Sequence, residues 1–268
     1  MPRTDAFYDK HSLFINSALI ACHANTQNSI FRQKDLKFFI ELLSNWMETT
    51  LKGHCLEVQN TQIQRILESL KEEGLLKKNL IKNRPTYQFT SIGLLEIITR
   101  IVSDDSTHDL QNFYFLYHFV SLYRDKMNAL IVGQKTTIPT SYSIEIKHLL
   151  NPHNLIERQT RKIELEVEKL IKRISEAEEM SNLSKSLIDK NIPIKEIIKK
   201  IETRYPYQLN NQRNMTELFK TLSPDVQLIE LVDAPIYRAK TLWTPLLNHY
   251  NNYLNSLRDL LKLHSYKL

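Results

Sequence analysis

The residues with the clearest metal-binding chemistry are two adjacent thiol and imidazole pairs, Cys22-His23 and His54-Cys55. Thiolate sulfur and imidazole nitrogen are the ligands that structural zinc prefers, so the four side chains together would complete a tetrahedral site. The spacing matches no C-x-x-C framework, however, and neighbouring side chains in a helix point about 100° apart. The pattern therefore favours buried cysteines beside partly exposed histidines, and we expect no bound metal.

Groups that perform acid-base or nucleophilic catalysis are scattered along the chain. The other histidines lie in no metalloprotease motif and beside no convincing Ser or Cys nucleophile. The acidic pairs Asp104-Asp105 and Glu178-Glu179 are typical of solvated surface. Only four glycines occur, at positions 53, 74, 93 and 133, so no clustered loop can cradle a nucleotide phosphate. We expect no enzymatic activity, no catalytic residues and no cofactor.

A third kind of chemistry, nucleic-acid recognition, is concentrated in residues 61–84. Apolar residues at helical spacing predict a helix over 61–73, which leaves amide, hydroxyl and guanidinium groups outside, where they can pair with base edges. Cations in the segment that follows can neutralise DNA phosphates. The candidate DNA-binding residues are Thr61, Gln62, Arg65, Ser69, Lys77, Lys78, Lys82 and Arg84, with Gln62 and Arg65 as base readers and the last four as phosphate contacts. The alternative interpretation is an ordinary solvated helix and a lysine-rich strand edge.

The elements that position these residues follow from periodicity and turn chemistry. Asn60 or Thr61 would cap the helix, and Gly74 would end it. Strands over 75–81 and 86–90, joined by the tip "KNRP", come next. Helices over about 7–21, 33–51 and 91–102 would surround them. The predicted order is helix, turn, hairpin, helix.

Beyond residue 104 the chain is predicted to be entirely helical. Six aromatic residues mark a helix over 112–131 that we expect to be buried in the core or in a dimer: Phe113, Tyr114, Phe115, Tyr117, Phe119 and Tyr123. Prolines at each end indicate a linker over 133–152. A long charged helix over 154–190 carries a short apolar heptad seam that ends at Ser181 and Ser184. Further helices are expected over 193–204, 214–222 and 241–263, the last preceded by the separator "VDAPIY".

The stretch "TQIQRILESLKEEGLLKKNLIKNRPTYQFTSIG", residues 61–93, resembles the central part of a winged-helix domain of the MarR and PadR regulator type. "EEGLLKK" and "YQFTSIG" supply the two ends of the family pattern. The resemblance is at the superfamily level and covers about a third of the chain, including the preceding helices. It implies a mainly α fold class with an N-terminal winged-helix domain (1–104), a small β-hairpin wing, and an α-helical dimerisation or partner-binding domain with one long helix (105–268).

The resemblance further implies a DNA-binding protein, a dimeric transcriptional regulator whose partners are double-stranded DNA and a second copy of itself. The alternative is a winged-helix scaffold, a kleisin-like or accessory subunit of an SMC-like chromosome-maintenance or plasmid-defence complex. Three acidic residues, Glu68, Glu72 and Glu73, depart from a DNA-binding surface, and the carboxylate of Glu68 in particular would repel phosphates unless it points away.

Composition agrees with an intracellular binding protein. The chain has 268 residues, two cysteines and a net charge of +6, which suits a reducing compartment and a polyanionic partner. Charged residues near the start argue against a signal peptide, and no apolar run approaches the roughly 20 residues of a membrane span. We expect a soluble, cytoplasmic protein with no membrane partner.

Overall fold

A computed structural model of the chain describes residues 6–51, 56–133, 139–205 and 221–265. These residues form a mainly helical protein with one two-stranded antiparallel sheet, which confirms the helical fold class and the hairpin. The first helices are α1 (Ala6–Lys10), α2 (Ser12–Asn25), α3 (Gln33–Leu51) and α4 (Asn60–Glu72). Strands β1 (Leu76–Ile81) and β2 (Arg84–Phe89) follow, and then α5 (Ser91–Val102) and α6 (Leu110–Gly133). The remaining helices are α7 (Thr140–Leu149), α8 (Pro152–Asp189), α9 (Ile194–Arg204), α10 (Pro224–Arg238) and α11 (Thr244–Ser265), with a π-helical turn, Ala239–Trp243, between the last two.

The chain divides into two compact units, residues 1–157 and 158–268. In the first unit the central helix is α2, which packs against α3, α5 and α6. Its apolar residues Ile15, Leu19 and Ile20 are fully buried, so α2 is surrounded on most sides. The absence of charged residues other than His23 from this helix suits that position, because a helix covered on most sides needs no solvated polar face.

Helix α6 contains the aromatic segment, and three of its rings lie in the hydrophobic core. Phe113, Phe115 and Phe119 are buried, and Phe115 stacks against Phe119 with ring centroids 6.1 Å apart. Phe14 of α2 lies 4.3 Å from Phe115, measured between centroids, so the two helices share an aromatic layer. The predicted domain boundary at residue 104 stays a prediction, and α6 packs within the first compact unit.

Two predictions beyond residue 130 are wrong in detail. The proposed linker contains helix α7, although Pro139 and Pro152 do lie at helix boundaries, as the N-cap of α7 and the first residue of α8. The separator "VDAPIY" lies inside α10, which continues through the buried Pro235. Proline removes one N–H and leaves the carbonyl four residues earlier without its helical partner. That carbonyl belongs to Leu231, and at the next residue Ser181 of α8 donates a hydrogen bond at 2.7 Å to the carbonyl of Val232.

The second unit is built on the charged helix α8. The apolar seam is interrupted at Ser181 and Ser184, as predicted, but both serines are fully buried, so the buried face of α8 continues through them. A compact cluster joins α8, α9 and α10 around Met180, Leu187, Ile197, Ile201, Tyr205 and Leu231. The predicted helix over 214–222 falls almost entirely on residues 206–220, outside the described residues.

Candidate nucleic-acid interface

Helix α4 buries one face and exposes the other, as its periodicity predicts. The buried side chains are Ile63, Ile66, Leu67 and Leu70. On the opposite side Thr61, Gln64 and Arg65 are exposed, and further along the same side lie Glu68 and Glu72. The N-terminal half of this surface therefore holds neutral polar groups and a guanidinium, whereas the C-terminal half is acidic. Gln64 was not among the predicted site residues, although helical spacing places it near Thr61, three residues earlier on the exposed surface.

Two of the predicted contact residues are engaged within α4 itself. The helix begins at Asn60 with Gln59 as its N-cap, one residue earlier than predicted. The side-chain Oε1 of Gln62 accepts a hydrogen bond from the backbone N–H of Gln59 at 2.8 Å, which satisfies one donor at the helix start. Ser69 donates a weaker hydrogen bond to Glu73 at 3.3 Å. Both side chains are half-buried, so Thr61 and Arg65 are the better exposed members of the predicted set.

The hairpin has a tighter tip than the sequence suggested. Ile81 pairs with Arg84, which leaves Lys82 and Asn83 as a two-residue loop. Both loop residues adopt the left-handed conformation, with φ of 49° and 59°, the geometry of a type I′ turn. Pro85 thus lies within β2, where its missing N–H discourages pairing with a further strand.

Alternation along the strands separates the four predicted phosphate contacts. Consecutive strand residues point to opposite faces, so Lys77 and Lys78 are divided. Lys77 shares its face with Arg84, while Lys82 is at the tip. All three are exposed, and within the described part of the chain none of them lies in an ion pair.

Lys78 has a different environment. Its ammonium forms an ion pair with the carboxylate of Glu68 on α4 and lies 5.9 Å from the ring centroid of Tyr87. Lys71 also contacts Glu68, at 3.2 Å, and the Tyr87 hydroxyl donates to the same carboxylate at 3.5 Å. The hydrogen bond from Lys78 holds the pKa of Glu68 below its usual value, and the same bond raises the pKa of Lys78. The carboxylate that would repel a phosphate is therefore paired by two cations.

The junction between α4 and the hairpin is fixed by Gly74. This residue has φ of +75°, and the Leu75 N–H bonds to the Leu70 carbonyl at 2.9 Å while the Gly74 N–H bonds to the Lys71 carbonyl at 2.9 Å. These two bonds form a Schellman motif, in which glycine supplies the left-handed residue. The buried side chains of Leu70 and Leu75 complete the motif's hydrophobic contact. The glycine is both the end of the helix and the start of the hairpin.

The other end of the hairpin is tied to the same point. Thr90 donates from its hydroxyl to the Gly74 carbonyl at 2.9 Å and accepts from the Gly93 N–H at 2.9 Å, which caps α5. A β-carbon on Gly93 would lie 2.0 Å from the Leu75 carbonyl oxygen, so only glycine permits this close approach. Helix α4, the hairpin and α5 therefore meet at Gly74, Leu75, Thr90 and Gly93, and we call this junction the corner.

A third chain segment borders the hairpin. Phe31, between α2 and α3, pairs with Tyr87 as an antiparallel bridge whose two hydrogen bonds measure 2.8 and 3.0 Å. The His23 ring of α2 meets the Phe89 ring edge-on, with centroids 5.3 Å apart. Burial lowers the pKa of His23, so this imidazole is neutral at neutral pH. The hairpin is thus anchored to the core at its base and exposed at its tip.

The residues considered for metal binding are placed differently. Cys22 and His23 are buried in α2, where burial raises the pKa of the Cys22 thiol. His54 and Cys55 lie outside the described residues. Among the residues that are described, no three His, Cys, Asp or Glu side chains come together as metal ligands. Cys22 and His23 are both buried, and the His23 ring packs against Phe89.

Two findings bear on the class of protein. No helix in the described ranges is both long and apolar enough to cross a bilayer. Comparison with protein-family models, curated proteins and solved structures found no significant match to this chain.

Proposed function

We propose that this protein binds double-stranded DNA through a winged helix formed by the first unit and acts as a dimeric transcriptional regulator. The observation that carries the proposal is the cationic hairpin held at a fixed corner beside the exposed face of α4. Three cations on that hairpin, Lys77, Lys82 and Arg84, form no ion pair with any described residue and have the chemistry to neutralise phosphates.

The order of elements supports the winged-helix interpretation. Helix α2, the Phe31 bridge, helices α3 and α4, and the hairpin follow one another as helix, short strand, two helices and wing. The Phe31–Tyr87 bridge adds a third chain segment to the edge of the hairpin. In such a domain the second of the paired helices is the one that enters a major groove.

In the proposed complex the N-terminal half of α4 faces the bases. Thr61, Gln64 and Arg65 are the exposed polar side chains there. A guanidinium pairs best with guanine and an amide with adenine, so Arg65 and Gln64 are the base-reading residues. Lys77, Lys82 and Arg84 contact the backbone and set the register of the protein on the duplex. A second copy would double these contacts, which a module of modest charge needs for tight binding.

The test is a titration with duplex DNA at several salt concentrations. The variant Lys77→Gln, Lys82→Asn, Arg84→Gln removes three charges, and asparagine tolerates the left-handed conformation at position 82. We expect the slope of log K against log salt to become shallower by about 2 to 3 units for each protomer bound, and by about twice that for a dimer, because about 0.9 counterions are released per phosphate contact. The matched control removes three exposed cations from α9 as Lys195→Gln, Lys199→Gln, Lys200→Gln. Equal slopes for the hairpin variant and the wild type would contradict the proposal.

A second candidate function is the scaffold role in an SMC-like complex. The observation that favours it is the acidic C-terminal half of the outer face of α4, where Glu68 and Glu72 would meet a phosphate backbone unfavourably. Such a surface suits a basic protein partner. Binding of the wild-type protein to an SMC-like ATPase head, together with salt-independent weak DNA binding, would support this role over regulation.

A further inference from the structure

The tip of the hairpin combines exposed apolar side chains with concentrated positive charge. Leu80 is 72% exposed and stands directly opposite Pro85, which is also exposed. Residues 77–85 contain four cations and no acidic residue. An isolated exposed leucine is common, but a leucine and proline pair set among cations forms an amphipathic tip.

The strand register shows which way this pair faces. Side chains directly opposite one another share a face of the sheet, and every second position along the strand returns to that face. The Leu80–Pro85 pair therefore lies on the same face as Lys78 and Tyr87, one step nearer the tip. Lys78 on that face contacts Glu68 of α4. The apolar pair is thus on the side of the hairpin that faces α4, and both of its residues are exposed there.

We infer that Leu80, backed by Pro85, is an apolar wedge that enters the minor groove and inserts at a base-pair step, bending the duplex. This inference rests on the proposed function, because a duplex lying against α4 would meet this face of the hairpin. Proteins that insert an apolar side chain at a base step unstack it and kink the DNA by roughly 20–90°. Lys82 at the tip and Arg84 on the opposite face of the hairpin contact the phosphates that flank the groove.

Rigidity and charge both favour DNA as the occupant. The tip is a two-residue turn, and its base is fixed by Gly74 and Thr90, so little freedom is lost on insertion. Pyrimidine–purine steps unstack most easily and are the expected insertion sites. An anionic membrane is the other surface that an apolar, cationic tip can enter. The experiment below distinguishes binding to a membrane from binding to DNA.

The experiment compares the wild type with Leu80→Ser and with Leu122→Ser, a matched leucine on α6 that is 75% exposed. Bending is measured as energy transfer between dyes at the two ends of a short duplex, and unstacking as the fluorescence of 2-aminopurine at a central TA step. We expect wild type and Leu122→Ser to bend and unstack the duplex. Leu80→Ser should bind about tenfold more weakly, with loss of both signals and an unchanged salt slope, since no charge is removed.

The outcomes separate the wedge from DNA binding itself. If Leu80→Ser bends the duplex as the wild type does, the wedge is wrong while cation-dependent DNA binding stands. If the wild type shows no salt-dependent binding, the proposed function fails and the wedge with it. If instead the wild type binds vesicles of phosphatidylserine and phosphatidylcholine, and Leu80→Ser loses that binding without a change in DNA bending, the tip is a membrane contact and the inference is overturned.

Discussion

Glu68 of α4 and Lys78 of β1 form an ion pair that joins the exposed helix to the hairpin. Lys71 and the Tyr87 hydroxyl also contact the carboxylate, so Glu68 is the centre of a small polar cluster. Because Lys78 is paired with Glu68, its ammonium is not available to a phosphate. It also places a negative charge on the surface proposed to face DNA.

The first prediction is that Glu68→Gln strengthens DNA binding. Removing the carboxylate frees Lys78 and removes like-charge repulsion worth about 1 kcal/mol, so affinity should rise roughly fivefold. The salt slope should steepen by about one unit as one more phosphate is neutralised. The loss of a partly exposed ion pair costs at most about 1 kcal/mol of stability. Glu164→Gln is the control, because Glu164 pairs with Arg258 at 3.7 Å in the second unit; a weaker complex with Glu68→Gln would count against the proposed interface.

The second prediction contrasts two glycines. Gly74→Ala places a β-carbon in open space but keeps a φ of +75°, so the cost is conformational and about 1–2 kcal/mol. Gly93→Ala drives a β-carbon to 2.0 Å from the Leu75 carbonyl, and the resulting shift of α5 should cost about 3 kcal/mol or more. Urea unfolding measures both. Gly74→Asn should be milder than Gly74→Ala, since asparagine adopts the left-handed conformation more readily; the reverse order of the two alanine variants would refute the assigned roles.

The third prediction concerns the corner residue Thr90. Thr90→Val keeps the shape but removes the hydroxyl that caps α5 and reaches the Gly74 carbonyl. We expect a loss of about 1–2 kcal/mol, the usual cost of a lost N-cap. Thr90→Ser retains the hydroxyl and should lose less. Amide hydrogen exchange should also increase in β1 and β2 of the valine variant, and unchanged protection there would show that Thr90 does not fix the hairpin.

The fourth prediction is a pH dependence from His23. Burial lowers the pKa of this imidazole below its usual 6.5 in the folded protein. The unfolded chain therefore binds the extra proton first, and stability is fully present above pH 6.5 and falls as the pH drops through the interval below it. Unfolding in urea at about pH 7.5 and about pH 5 measures this loss. His23→Gln should reduce the difference between the two pH values.

A matched histidine checks the fourth prediction. Partial burial of the imidazole also lowers the pKa of His118, but His118 retains far more solvent exposure than His23, which is buried. His118→Gln should therefore change the pH dependence less than His23→Gln. Equal effects from the two variants would mean that the burial of His23 against Phe89 does not cause the pH dependence of stability.

Local sequence determined most of the individual elements of the candidate site. The spacing of Ile63, Ile66, Leu67 and Leu70 predicted α4 and its buried face, because side chains three and four apart lie on one side of a helix. The sequence also predicted that the helix ends at Gly74 and that a hairpin precedes α5, because the need for glycine at a left-handed position is a local property. Exposure of Lys77, Lys82 and Arg84 followed from their types.

Tertiary structure decided how those elements work together. The Glu68–Lys78 pair, the Phe31–Tyr87 bridge and the contact of Gly93 with Leu75 join segments distant along the chain, and periodicity carries no information about such contacts. The hydrogen bond from Ser181 of α8 to the carbonyl of Val232 in α10 is another such contact between distant segments. Sequence alone therefore defined a capped helix and a cationic hairpin. Only the folded chain determined that Lys78 is paired while its three neighbouring cations remain available, because pairing depends on which side chains packing brings within reach.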